Sequence, residues 1–228
     1  MQQPHELTTK QRIKEALTNS LYSLRYVLVG LLGAFVLFLI VYLTASEIHS
    51  RRIERSTVIV ERIENDYQIW LNEDVTETSQ DMSADLLNRI SQLLDKYPRL
   101  YASQRALHLR GRIYYHMADW ENARASFVEL ADRFPKSYLA PAALVAAATA
   151  MEQAERYDDA ISLLKRVTDD FQTPEMPAVL FSLGRLSEAV SDNESAMTYY
   201  GRLLDEYPSS GWTNIAQSRI ISLKIDRS

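Results

Sequence analysis

The chain has 228 residues, 46% of them hydrophobic, no cysteine and a formal net charge of −5. Without cysteine there is no thiol nucleophile, no thiolate metal site and no disulfide framework, and the acid excess argues against nucleic acid and against lying on an anionic membrane surface. Six glycines and seven prolines leave little room for strands and hairpins, so an all-α chain of one domain plus an accessory segment is expected.

Residues 1–25 read as a cytoplasmic N-terminal segment. Lys10, Arg12, Lys14 and Arg25 outweigh Glu6 and Glu15 by +2, which leaves −7 for the remainder. Ile13, Leu17, Leu21 and Leu24 recur at spacings of four, four and three, a helical apolar stripe, and Thr8 with Gln11 would cap its start. Residues 26–46, YVLVGLLGAFVLFLIVYLTAS, carry no charge over 21 positions. As a helix they span roughly 31 Å, the thickness of a hydrocarbon core, and predict a transmembrane helix with Tyr22, Tyr26 and Tyr42 near its ends. Thr44–Ala45–Ser46 is a poor cleavage site, so an uncleaved anchor is expected. Gly30 and Ala34, four apart, form a small-xxx-small pair that would let two anchors approach as a homo-oligomer.

Orientation rests on a tie, because Arg51, Arg52, Arg55 and Arg62 follow the span in the same number as the basic residues before it. Long following domains translocate largely regardless of charge, so the short basic flank is placed in the cytoplasm and the remaining mass outside it. The opposite topology, with that mass in the cytosol, is the alternative.

Residues 47–81 are expected to form a polar helix and a connector. Val60, Ile63, Tyr67 and Trp70 are spaced three, four and three, and no proline or glycine intervenes between Gly33 and Trp70, so the anchor is expected to run on into this helix. The acidic stretch 72–81, NEDVTETSQD, lacks the glycine and ligand spacing of a calcium loop and reads as a solvated connector. Residues 82–228 hold repeats. Ser83 to Tyr97 carries Leu86, Leu87, Ile90, Leu93 and Leu94 on one face and ends in Tyr97–Pro98, as the second helix of a degenerate first repeat whose first helix is 53–71.

The next unit, about 104–137, places Gly111, Tyr114, Ala123, Phe127 and Pro135 in the order and spacing of the tetratricopeptide pattern, a helix–turn–helix of about 34 residues. Small residues at 111 and 123 let two antiparallel helices cross closely, bulky ones at 114 and 127 fill the space beside the crossing, and Pro135 stops the second helix. The segment resembles a tetratricopeptide repeat, with Leu107 in place of the first aromatic and Arg110 where leucine is usual. The pattern returns at about 141–174, with Ala160, with Ala148 for Gly111 and with Leu164 for Phe127. It returns again at about 177–210 with Gly184, Ala196, Tyr200 and Pro208, and a cap at 211–224 is expected to cover the stack with Trp212, Ile215, Ile220 and Leu223. The expected fold is all-α: one N-terminal transmembrane helix, then a tetratricopeptide α-solenoid with a C-terminal capping helix.

By that resemblance the concave face is lined by the first helix of each pair. It would hold Arg105, His108, Arg112, Tyr115 and His116, then Val145, Thr149 and Glu152, then Phe181, Arg185 and Glu188. Arg105, Arg112, Tyr115 and His116 on one helix would suit an acidic or aromatic peptide, and a solvated face is the alternative. The family's clamp for C-terminal carboxylates is not carried over, since His108, Arg112, Ala142 and Ala146 stand at its positions.

No catalytic residue, metal or cofactor is assigned. His5, His49, His108 and His116 form no H-E-x-x-H motif, and no phosphate-cradling glycine loop is present.

A short basic N-terminus, one anchor, a polar helix and repeats ending in YP, FP-x-S and YP-x-S resemble the bacterial YfgM-like family. The resemblance runs from about Leu24 to Leu223. It implies an inner-membrane protein whose repeats face the periplasm and assist the Sec translocon with a membrane-tethered chaperone. The FPKS and YPSS turns are also similar to those of the outer-membrane assembly lipoprotein and the Tol–Pal accessory protein, which lack this membrane helix. Two roles are therefore expected of a non-enzymatic envelope protein: an accessory to translocation or chaperoning, or a structural subunit of a flagellar or secretion machine.

Overall fold

The computed structural model describes the backbone of residues 9–72 and 77–225, and the side chains of 29–72 and 80–225. The expected Thr8–Gln11 cap, the stripe at Ile13, Leu17, Leu21 and Leu24, and the side chains of Tyr22 and Tyr26 lie outside the described residues. Among the described residues every regular element is a helix. They are α1 Thr9–Leu71, α2 Glu77–Lys96, α3 Tyr101–His116, α4 Trp120–Arg133, α5 Leu139–Gln153, α6 Tyr157–Asp170, α7 Met176–Ala189, α8 Asn193–Glu206 and α9 Thr213–Ile225.

The chain divides into two compact units, the first ending at Glu54 and the second starting at Arg55. In the first, every side chain from Val29 onward is exposed, including Leu31, Leu32, Phe35, Phe38 and Ile40. A helix apolar on all sides has no partner face in water, and this one is long and apolar enough to cross a membrane. A Cβ added at Gly30 would meet nothing within 4 Å.

In the second unit one continuous core runs from Val60, Ile63 and Tyr67 through Leu107, Phe127, Leu144 and Leu164 to Tyr200, Leu203 and Leu223. Residues 55–71 of α1 contribute to that core and are joined to α2 by Arg89, which donates to Asp66 at 2.7 Å. α2 begins at Glu77, six residues before the start expected at Ser83, so residues 77–81 are helix rather than connector. The apolar stripe from Leu86 marks only the buried turns, and periodicity cannot register the polar turns ahead of it.

Each later pair is built alike. Gly111 is buried where α3 crosses α4, and a Cβ there would lie 2.5 to 2.7 Å from the Phe127 ring; Gly184 stands in the same relation to Tyr200. In the middle pair the smaller Leu164 makes room for Ala148, and both are buried. Arg110, at the position where leucine is usual, donates to Ser126 at 3.0 Å and pairs with Glu129, so the polar exception is satisfied.

The turn inside each pair reverses through one left-handed residue, Ala118 (φ 56°), Glu155 (φ 59°) or Ser191 (φ 63°). Its successor donates to the carbonyl five residues back, Asp119 to Tyr114, Arg156 to Met151 and Asp192 to Ser187. This is the helix-ending geometry that favours glycine. Asp119 and Asp192 then cap the following helix by accepting from Asn122 and Ser195, whereas Arg156 makes no such bond. Glu155→Gly is expected to raise stability by about 1 kcal/mol by relieving the left-handed strain; thermal unfolding measures it.

Successive pairs are tied at intervals close to the repeat. Arg133 donates to the Pro98 carbonyl at 2.9 Å, Ser137 to Gln104 at 2.7 Å and Arg166 to Asp132 at 2.6 Å, while the Tyr101 and Tyr138 hydroxyls meet at 2.5 Å. Pairs this exposed fix register more than they add energy. At the end of the stack α9 buries Ala216 and Leu223 and half-buries Ile220. Ile215, expected on that covering face, is 48% exposed, because it lies one residue off the 216–220–223 stripe and is turned away by about 100°.

Candidate functional site

The face formed by residues 55–71 of α1 and by α3, α5, α7 and α9 carries the side chains expected to line a groove, and the structure separates them into three groups. Arg105 is drawn to Glu64 on α1. His108 is half-buried with its ring 5.6 Å from that of Phe127. Arg112 lies 4.8 Å above the Tyr67 ring, and His116 packs edge-on to Trp70 at 6.3 Å. The four residues expected as one cationic and aromatic cluster are thus not equivalent. Arg112, Tyr115 and His116 share a cavity of about 220 Å³ with Phe127, Ala146 and Thr149, and Arg105 is outside it.

The second group straddles α5. Val145 lines a separate cavity of about 250 Å³ with Ala142, Leu164, Ala178 and Ser182, where Glu175 is the one charged group. Thr149 belongs to the first cavity and turns its hydroxyl to the Val145 carbonyl at 3.0 Å. Helix α5, LAPAALVAAATAMEQ, has no charge before Glu152, so its surface between the two cavities is small and neutral. The third group is engaged within the stack. Arg185 donates to both Glu152 oxygens at 2.6 and 2.7 Å. Phe181 stacks on Trp212 at 4.9 Å. Glu188 accepts from the Tyr200 hydroxyl at 2.6 Å and pairs with Arg219.

Ala178 and Ser182 were not legible as lining residues, since small neutral side chains carry neither charge nor aromatic signal. Glu64 and Tyr67 sit three apart on α1, and only the packing of α1 against α3 shows that they meet Arg105 and Arg112.

Burial, and after it the Arg112 charge, holds the His108 imidazole below the ordinary histidine value, with Glu64 pulling the other way. His116 is lowered by burial and then by Arg112. A base whose folded pKa lies below its unfolded one adds stability above about pH 6.5 and withdraws it as pH falls through that value. Burial opposes ionisation of Glu129 and Glu188, but Arg133 and Arg110 on the first and Arg219 and Tyr200 on the second outweigh it and lower both, so they withdraw stability only as pH falls from the ordinary carboxylate value downward. Thermal melts between pH 7.5 and 5.5 are therefore expected to shift downward with acid, and His108→Gln is expected to flatten that part of the profile.

The family model for the tetratricopeptide repeat matches residues 108–167 and again 145–211. Among curated proteins, a TPR repeat-containing protein of Treponema pallidum (strain Nichols) is 28% identical over 113 residues, 50% of this chain and 47% of that protein. The matched part is thus about half the length of that relative. Among solved structures, the nearly identical TPR-like repeats of a kinesin light chain from Podosopora anserina superpose with a TM-score of 0.51 at 12% identity, covering 72% of this chain and 86% of that one. The pilF protein of Pseudomonas aeruginosa gives a TM-score of 0.46 at 16% identity over 72% of this chain and 66% of that one.

Proposed function

We propose that this chain, whose residues 108–211 match the tetratricopeptide-repeat family model, is a membrane-anchored protein-interaction module of a bacterial cell envelope. Residues 26–46 are the anchor, the basic segment 1–25 lies in the cytoplasm and the repeats lie in the periplasm. The open surface at Gly30 and Ala34 would let two anchors pair. The observation that carries the reading is the α5 surface. It is neutral over Ala142, Val145, Ala146 and Thr149 and hollowed on both sides, beside Arg105, Arg185 and Arg219, which are paired with Glu64, Glu152 and Glu188. Such a surface offers room for apolar side chains of a partner without asking it to compete with existing ion pairs.

In this reading the protein is an accessory to translocation or chaperoning of the YfgM-like kind, holding emerging chains transiently. A photoreactive residue placed at Thr149 in living cells tests it, with Asp169 on α6 as the control. Secreted chains, translocon subunits and a periplasmic folding factor attached at 149 and absent at 169 are expected. One abundant envelope protein in fixed ratio would make the chain a structural subunit of a flagellar or secretion assembly instead, and exclusively cytosolic partners would overturn the orientation.

A further inference from the structure

Helices α3, α5, α7 and α9 carry five arginines, and four of them meet a carboxylate: Arg105 with Glu64, Arg110 with Glu129, Arg185 with Glu152, and Arg219 with Glu188. Among the described residues, no carboxylate reaches Arg112 within ion-pair distance. Arg112 is half-buried, with its guanidinium over the ring of the buried Tyr67, so that its neighbour on that side is an aromatic face and a phenol rather than a carboxylate. A partly desolvated cation without a counter-ion is costly to hold, and the other four arginines of these helices each have one. Beside Arg112 lies the cavity of about 220 Å³, whose apolar walls include Phe127, Tyr115 and Ala146.

We propose that Arg112 and this cavity form a subsite for a peptide segment in which an acidic residue adjoins a large apolar one. The acidic side chain meets the Arg112 guanidinium, whose N–H groups donate to its carboxylate, while the apolar side chain enters the hollow between α3 and α5. The inference rests on the reading that the α5 surface takes partner chains, and it names the chemistry of the chain that is taken. Its charge complementarity is local: with Arg105 paired to Glu64, one acidic residue is recognised here, not an acidic run.

The full-length protein in detergent micelles is titrated into a fluorescein-labelled nonapeptide of sequence Gly-Ser-Asp-Leu-Glu-Phe-Asp-Gly-Ser, and into the same peptide with lysine for each acid, with binding read by anisotropy. The acidic probe is expected to bind at least about tenfold tighter than the lysine probe, the ratio a charge-assisted pair supports. Arg112→Gln is expected to abolish that preference. Thr149→Asp, at an exposed position lining the same cavity, supplies the missing carboxylate in the chain itself. It is expected to weaken the acidic probe about tenfold while leaving the fold intact, which covers the case in which the Arg112 variant unfolds. Equal binding of the two probes, or unchanged binding by both variants, overturns the subsite and leaves the wider α5 surface standing. Binding of neither probe also overturns it, and whether the surface takes partners at all is then decided by crosslinking from Thr149.

Discussion

Gly111→Ala combined with Phe127→Leu is expected to be more stable than the two single substitutions predict when added, by about 2 kcal/mol. Alone, the alanine methyl is driven against the Phe127 ring at 2.5 to 2.7 Å, and the ring, 2% exposed, must shift from its packed position to admit it. Overpacking of this kind costs about 1–3 kcal/mol, more than alanine gains over glycine in helix propensity. Alone, Phe127→Leu leaves a void between α3 and α4 and costs about 1–2 kcal/mol. Together they recreate Ala148 over Leu164, which the middle pair already packs with both side chains buried. Thermal or denaturant unfolding of the four proteins measures the coupling. Strict additivity would mean that the two positions do not share one packing site.

Removing residues 211–228 is expected to destabilise the repeats by on the order of 4 kcal/mol. Three losses contribute: the burial of Ala216 and Leu223 in the core, roughly 2 kcal/mol; the Trp212 ring stacked on Phe181, about 1 kcal/mol; and the half-exposed Arg219 partner of Glu188, about 0.5 kcal/mol. In a repeat stack each unit leans on its neighbours, so the last pair, α7 and α8, is expected to open first and the pair α3 and α4 to keep its protection. Hydrogen exchange resolved by segment reads this directly. Uniform loss of protection across all pairs would show a single cooperative unit instead.

Both effects concern features whose sequence signal was strong. Gly111 with Phe127 and Gly184 with Tyr200 are large–small pairs at fixed separation, and a pattern of that kind reports helix crossing because only a missing Cβ admits the ring. Helix ends at Pro135 and Pro208 were legible for an equally local reason: α4 stops at Arg133 and α8 at Glu206. The start of α2 and the outward turn of Ile215 were not, because one lies in polar turns without periodicity and the other depends on the register of a short terminal helix. The interaction face was least legible. Arg105 and Arg112 stand two turns apart on the same helix and read alike in sequence, yet Glu64 lies 41 residues before Arg105 and reaches it alone. Which cation stays free is decided by α1, whose position against α3 no local pattern records.

The absence of cysteine from the chain permits one direct test of where the repeats lie. A single cysteine at Ser209, exposed after α8, and separately one at Gln11 are each offered a membrane-impermeant maleimide in intact cells, before and after the inner membrane is opened. Labelling at 209 in intact cells, with 11 protected until lysis, is the predicted result and places the repeats in the periplasm. Labelling at 11 with 209 protected would put the repeats in the cytosol, and labelling of neither until lysis would contradict a membrane-spanning anchor.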